Sequence, residues 1–207
     1  MNYFIIGLCA LVAYFLGSIN TSIILSGFKG KDIRKEGSGN AGATNTLRVM
    51  GKKAAVFVVI FDGLKGVVAI LAARLICNVA SLDDVSSNAG EYFAALFVML
   101  GHVYPVYFGF KGGKGVMTTI AVILMLDWRI GLGLLVCCIA IMLITRYVSL
   151  GSCLGALAFP ILVAAFHTED VLFIAIASLI GLLAIFKHRT NIVRLFKGTE
   201  SKLSFKK

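Results

Sequence analysis

Seven apolar runs follow one another along the chain, at residues 3–26, 54–76, 92–108, 115–126, 130–145, 150–166 and 171–186, with short polar stretches between them. A helix needs about 20 such residues to cross a hydrocarbon core roughly 30 Å thick. Backbone at that depth has no water to bond, so a spanning segment of this kind must be helical. The runs therefore predict an all-α fold: a polytopic membrane helix bundle of about seven transmembrane helices, forming a single integral membrane domain over 1–207. No Lys or Arg precedes the first run, which is too long for the apolar core of a signal peptide, so 1–26 reads as a retained helix. The fourth run is the exception in length. Its 12 residues reach only about 18 Å at about 1.5 Å each. The alternative for runs four and five is a re-entrant hairpin around Asp127, Trp128 and Arg129, which leaves both termini on the same sides.

With 59% hydrophobic and 14% charged residues and a mean hydropathy of +0.94, the chain is no ordinary soluble domain. The formal net charge of +10 would suit nucleic acid were the basic residues gathered together. Instead, all but Lys65, Arg74 and Arg129 lie in 29–53, at Lys111 and Lys114, at Arg146, or in 187–207. The alternate loops carry Asp83, Asp84, Glu91, Asp127, Glu169 and Asp170. This is the pattern of a positive-inside topology, with the N-terminus outside, the C-terminus cytoplasmic and 188–207 a cytoplasmic basic tail. The partner expected for that charge is the lipid bilayer, and no nucleic acid is expected. The five cysteines lie in or beside apolar runs without a C-x-x-C pair, which implies neither a disulfide framework nor a zinc site.

The chemistry-bearing residues all fall on the predicted cytoplasmic side. Residues 37–48 read Gly-Ser-Gly-Asn-Ala-Gly-Ala-Thr-Asn-Thr-Leu-Arg. Gly37, Gly39 and Gly42 allow backbone conformations in which successive N–H groups converge on an anion. Ser38, Asn40, Thr44, Asn45 and Arg48 add five side-chain hydrogen-bonders that a mere linker does not need. The run also matches G-x-G-x-x-G, but no buried strand precedes it and Asp62 lies within an apolar run, so the dinucleotide reading fails. A second loop, Lys111-Gly112-Gly113-Lys114-Gly115, interleaves two lysines with glycines, as a phosphate site would. It lacks the Walker spacing and the Ser or Thr after the lysine. Arg146, Ser149 and Ser152 cluster at one inner helix end, and His188 and Asn191, three apart, share a helical face at another. His102 reads as structural, bonding a neighbouring helix. Asp62 and Lys65, also three apart and deep in a run, are expected to pair with each other or with nearby polar side chains.

Residues 35–48, the stretch Gly101-His102-Val103-Tyr104-Pro105 leading into Phe110-Lys111-Gly112-Gly113-Lys114-Gly115-Val116, and His188-Arg189-Thr190-Asn191-Ile192 resemble the bacterial acyl phosphate:glycerol-3-phosphate acyltransferases. The resemblance spans almost the whole chain. It implies a seven-helix enzyme of the bacterial inner membrane, its active site facing the cytoplasm. That enzyme moves an acyl group from acyl phosphate to the sn-1 hydroxyl of glycerol 3-phosphate, giving lysophosphatidic acid and phosphate. Neither coenzyme A nor acyl carrier protein takes part, and no cofactor and no metal ligand is expected. Matched by motif, Ser38 with Gly39, Asn40, Ala41, Gly42, Thr44 and Asn45 would hold the acyl phosphate head. Arg48, Lys111, His188 and Asn191 would bind the phosphate of glycerol 3-phosphate, with Gly112, Gly113, Lys114 and Gly115 around Lys111 and either Ser149 or Ser152 nearby. The H-x4-D motif of other glycerolipid acyltransferases is absent: Tyr107, Leu172 and Val193 stand five residues after His102, His167 and His188.

No His–carboxylate base stands out, so the expected mechanism is direct attack by the acceptor hydroxyl on a mixed anhydride that already has a good leaving group. Orientation and charge stabilisation would be the enzyme's main tasks. The alternative is a membrane transporter of an organic phosphate, which also uses broken helices and anion sites. Against it, the polar groups crowd one face and no polar path crosses the membrane.

Overall fold

The computed structural model describes residues 2–203. Among them are nine α-helices and two short 3-10 turns, and no strand. The order is α1 (Tyr3–Ser18), α2 (Thr21–Gly27), a 3-10 turn at Ile33–Lys35, α3 (Ala43–Met50), α4 (Lys52–Val79), α5 (Asp84–Val103), a 3-10 turn at Val106–Phe108, α6 (Val116–Leu126), α7 (Trp128–Thr145), α8 (Val148–Phe166) and α9 (Val171–Phe196). The chain divides into two compact units, Met1–Leu126 and Asp127–Lys207. Five helical stretches are long and apolar enough to cross a membrane: Tyr3–Gly27, Lys52–Val79, Trp128–Thr145, Val148–Phe166 and Val171–Phe196.

Several boundaries depart from the apolar runs, each for a local reason. The first run breaks after Ser18, because the Asn20 side chain accepts a hydrogen bond from the Ile23 amide and starts a second helix. An asparagine at an N-cap supplies one of the acceptors that a helix start lacks. α5 begins at Asp84, eight residues before the apolar run, because Asp83 caps it by accepting from the Ser86 amide at 2.7 Å. The basic 29–53 stretch holds a separate helix, α3, which Gly51, at φ 85°, divides from α4. α6 has only 11 residues. Near its end the Met125 carbonyl accepts from Arg74 at 2.7 Å, and Arg74 is itself paired bidentately with Glu91 at 2.9 and 3.0 Å.

In the first unit α4 shows how these helices divide their surface. Val56, Phe57, Ile60, Phe61, Leu64, Val68, Leu71 and Leu75 are exposed, while Ala55, Val58, Asp62, Lys65, Gly66, Ala69, Ala73 and Cys77 are buried. Large apolar side chains face outward, where lipid replaces water, and small or polar ones face neighbouring helices. α1 and α5 lie so close that a β-carbon on Gly17 would collide with the Val98 carbonyl. In the second unit Asp127 caps α7, accepting from the Arg129 and Ile130 amides, and also binds the Arg129 guanidinium and His167 Nε2. Burial alone would raise the Asp127 carboxyl, but these hydrogen bonds outweigh it and hold the group well below the usual carboxylate range.

Gly17→Ala is expected to lower the thermal midpoint of the detergent-solubilised protein, at a cost of about 1–3 kcal/mol for overpacking. Gly7→Ala, on the same helix with open space around it, is expected to leave the midpoint unchanged or raise it.

Candidate active site

In the first unit the two glycine loops are brought together. A β-carbon on Gly113 would strike the Ala41 carbonyl, so the 111–115 backbone lies directly against the 37–42 loop. Arg34 ties the same pair from the side: its Nη1 donates to the Phe108 carbonyl at 2.9 Å, while Asp32 holds the guanidinium at 2.9 and 3.1 Å. The hydrogen bonds from Arg34 keep the Asp32 carboxyl below its ordinary range.

The glycine loop is braced from beneath by Asn45. Its Oδ1 accepts from the Ser38 amide at 2.8 Å, and its Nδ2 donates to the Ile33 and Glu36 carbonyls at 3.1 and 2.9 Å. Asn45 is buried, and Gly37 and Gly39 have φ values of 57° and 72°, which only glycine adopts without strain. The Gly39 amide donates to the Glu36 carbonyl and the Gly42 amide to the Asn40 carbonyl. In the second loop the Gly112 and Gly113 amides donate to the Val103 and His102 carbonyls, both at 3.2 Å. Of the glycine N–H groups expected to converge on an anion, those of Gly39 and Gly42 are therefore committed to holding the loop in shape, as are those of Gly112 and Gly113 in the second loop. The amides of Ala43 and Thr44 start α3, which has no side-chain cap.

Above this frame Ser38, Arg48 and Lys111 are exposed. Among the described residues neither Arg48 nor Lys111 enters an ion pair. Thr44 and Arg48 are four apart on α3 and share one face. The first unit thus presents two uncommitted cations, a serine hydroxyl and an open helix start beside a rigid double loop. That combination suits an anionic oxygen cluster.

In the second unit Ser149, at the start of α8, and Asn191, late in α9, reach the same acceptor. Ser149 Oγ and Asn191 Nδ2 donate to Glu200 Oε1 at 2.7 and 2.6 Å, and Arg194 Nε donates to Glu200 Oε2 at 2.8 Å. Ser152 instead donates back to the Val148 carbonyl of its own helix at 3.1 Å. Of the two candidate serines, Ser149 is the one grouped with Asn191. His188 is buried and its Nδ1 lies 2.8 Å from the Ala184 carbonyl. A carbonyl only accepts, so Nδ1 carries the proton and Nε2 is the nitrogen turned outward from that bond.

The sequence reading missed Glu200, since in a tail of lysines it looks like one more solvated charge. Burial would raise its carboxyl, but hydrogen bonds from Ser149, Asn191 and Arg194 outweigh burial and lower it. Its signal was the preceding Gly198-Thr199, where Gly198, at φ 68°, turns the chain back after α9. Among the described residues no group of three His, Cys, Asp or Glu side chains is placed to hold a metal ion.

The family described as Glycerol-3-phosphate acyltransferase matches residues 7–198. A glycerol-3-phosphate acyltransferase of Thermoanaerobacter pseudethanolicus is 43% identical over 200 residues, covering 96% of each chain. The protein of that name from Clostridioides difficile is 39% identical across the full length of both. The chain belongs to the glycerol-3-phosphate acyltransferase family. The crystal structure of PlsY, an integral membrane glycerol 3-phosphate acyltransferase, in its glycerol 3-phosphate form superposes with a TM-score of 0.83 at 40% identity, over 96% of each chain. The lysophosphatidic acid form gives 0.81 at 36% identity, over 96% of this chain and 95% of that one. This family member is an all-helical integral membrane enzyme.

Because the folded Glu200 carboxyl is lowered, its contribution to stability is present above the unfolded value of about 4.3 and fades as pH falls through the folded one. The stability gap between the parent and Glu200→Gln in detergent is expected to be widest at neutral pH and to narrow below about pH 4. A gap that stays constant with pH would contradict this.

Proposed function

We propose that the chain transfers a fatty acyl group from acyl phosphate to the sn-1 hydroxyl of glycerol 3-phosphate, releasing lysophosphatidic acid and inorganic phosphate. The observation that carries this reading is the rigid double loop of the first unit, in which Ala41 packs on Gly113 and leaves Arg48 and Lys111 as uncommitted cations. Membership of the acyltransferase family supports it, as do related structures described with glycerol 3-phosphate and lysophosphatidic acid.

The donor is a mixed anhydride, so its phosphate leaves readily and needs no activation by coenzyme A or acyl carrier protein. Ser38, Gly39, Asn40, Ala41, Gly42 and Thr44 hold the donor head, with the amides opening α3 facing its charge. Asn45 serves by fixing the loop. Arg48 and Lys111, flanked by Gly112, Gly113, Lys114 and Gly115, take the acceptor phosphate as a charge-assisted clamp. In the same reading His188, Ser149 and Asn191 of the second unit take phosphate oxygen, as Ser149 and Asn191 take the Glu200 carboxylate. The acceptor hydroxyl forms the new ester C–O bond, the anhydride C–O bond breaks, and the hydroxyl proton passes to the departing phosphate. Charge developing on the carbonyl oxygen is met by Lys111 and the amides that open α3.

The same reading takes the enzyme as a bacterial inner-membrane protein with seven crossings, its N-terminus outside and the site on the cytoplasmic side. α5, with 20 residues, and the short α6 join the five long apolar spans. The exposed Trp128 at the start of α7 then lies outside. In a background without the native cysteines, Trp128→Cys is expected to react with an impermeant maleimide added to intact cells. Absence of labelling would favour the re-entrant hairpin.

Purified protein given acyl phosphate and labelled glycerol 3-phosphate is expected to form lysophosphatidic acid, and acyl-coenzyme A to give none. Arg48→Ala and Lys111→Ala are each expected to lower turnover by about 10²–10³ while the protein stays folded. Concentrative uptake of glycerol 3-phosphate into vesicles without product would instead indicate a transporter.

A further inference from the structure

Asp62, Lys65 and His102 lie outside the substrate-facing groups, yet all three are ionisable side chains buried in the first unit, at 3%, 7% and 3% exposure. Lys65 Nζ lies 2.8 Å from the Ile19 carbonyl, 3.1 Å from Asp62 Oδ1 and 2.8 Å from His102 Nδ1. Thr21 Oγ1 donates to the same Asp62 oxygen at 2.9 Å, and Thr118 Oγ1 donates to the Asp62 backbone carbonyl at 2.8 Å. An ammonium has three protons and no lone pair. The three neighbours account for all three protons, so His102 Nδ1 is an acceptor and Nε2 bears the ring proton.

The Nε2 edge is the one that meets the second glycine loop. A β-carbon on Gly113 would strike His102 Nε2, and one on Gly115 would lie 3.7 Å from His102 Cδ2. The His102 carbonyl accepts the Gly113 amide at 3.2 Å. The imidazole is thus the floor beneath the Gly113–Gly115 backbone, and Lys65 sets its orientation. A buried ion pair is weak ground for stability, since well-packed apolar replacements are often neutral or better. The retained charge therefore calls for another role.

We propose that Asp62–Lys65–His102 is a positioning strut for the Lys111–Gly115 loop: Lys65 locks the His102 ring in its Nε2–H tautomer, and the ring sets the height at which Lys111 meets the acceptor phosphate. The proposal rests on the reading in which Lys111 binds glycerol 3-phosphate. Asp62 balances the Lys65 charge, and the Ile19 carbonyl, exposed by the break between α1 and α2, completes the cage. None of the three is a catalytic residue. Each acts through the loop.

The test uses full-length protein in detergent and two double variants that remove both charges, so that neither leaves an unpaired ion in the core. Asp62→Asn with Lys65→Met removes the donor to His102; Asp62→Asn with Lys65→Gln keeps one. The Met variant is expected to raise KM for glycerol 3-phosphate, up to about a hundredfold if the loop moves by about 1 Å, with KM for acyl phosphate little changed and the thermal midpoint preserved. The Gln variant is expected to recover most of the loss. ¹⁵N NMR of the imidazoles, assigned with His102→Asn, should show Nδ1 unprotonated and Nε2 protonated in the parent and Gln forms, and a mixture in the Met form. Equal impairment of the Met and Gln variants, or parental KM and nitrogen shifts in the Met variant, would overturn the strut. Lys111→Ala reports separately on the acceptor reading: an unchanged KM for glycerol 3-phosphate there would sink that reading, and the nitrogen signature would still decide the strut.

Discussion

A lysine ammonium away from water must place all its protons on fixed acceptors, and in this chain Lys65 does so on three different segments. One acceptor is the carbonyl at a helix break, one a carboxylate on its own helix, and one an imidazole at the end of α5. In an apolar surrounding none of these bonds exchanges for one to solvent, so each is far harder to give up than at a surface. The break between α1 and α2, the inward face of α4 and the end of α5 are therefore fixed together. Both glycine loops rest on that arrangement, one through Gly113 on His102 and the other through Ala41 on Gly113.

The two loops divide their polar groups between those that hold the backbone and those that face outward. Asn45, Arg34 and the amides of Gly39, Gly42, Gly112 and Gly113 are committed to holding the backbone. Arg48, Lys111 and Ser38 are left facing outward. The second unit uses the opposite arrangement: Ser149, Asn191 and Arg194 already grip an anion, and that anion is the chain's own Glu200. Both arrangements supply charge-assisted hydrogen bonds to oxygen, the chemistry a phosphate requires.

Much of this was legible in the sequence, and the failures have identifiable causes. Hydropathy located the helical segments because apolar length is what a membrane demands. It did not see the break at Asn20, since a single polar residue hardly alters an apolar run while its side chain can cap a helix. Nor did it see that α5 starts at Asp84, because capping by Asp83 acts before the apolar residues begin. The pairing of Asp62 with Lys65 followed from their spacing, but the contact of Lys65 with His102 joins residues 37 apart on two helices and has no local signal. Motif matching grouped Asn45 with the glycine loop and assigned it to substrate; in the structure it sits on α3 and makes three bonds to that loop and its approach. Ser149 and Ser152 were indistinguishable by spacing. What separates them is Glu200, which reaches Ser149 only because the chain turns back after α9.

α6 carries a consequence of a different kind. With 11 residues it measures about 16 Å, half of what a bilayer asks of a span. Arg74, Glu91 and the Met125 carbonyl form a polar plug at its far end. Mismatch between a helix and the hydrocarbon core has a modest energetic cost per ångström. On the proposed seven-crossing topology α6 is the helix that falls furthest short of that core, and the polar plug stands where the shortfall lies.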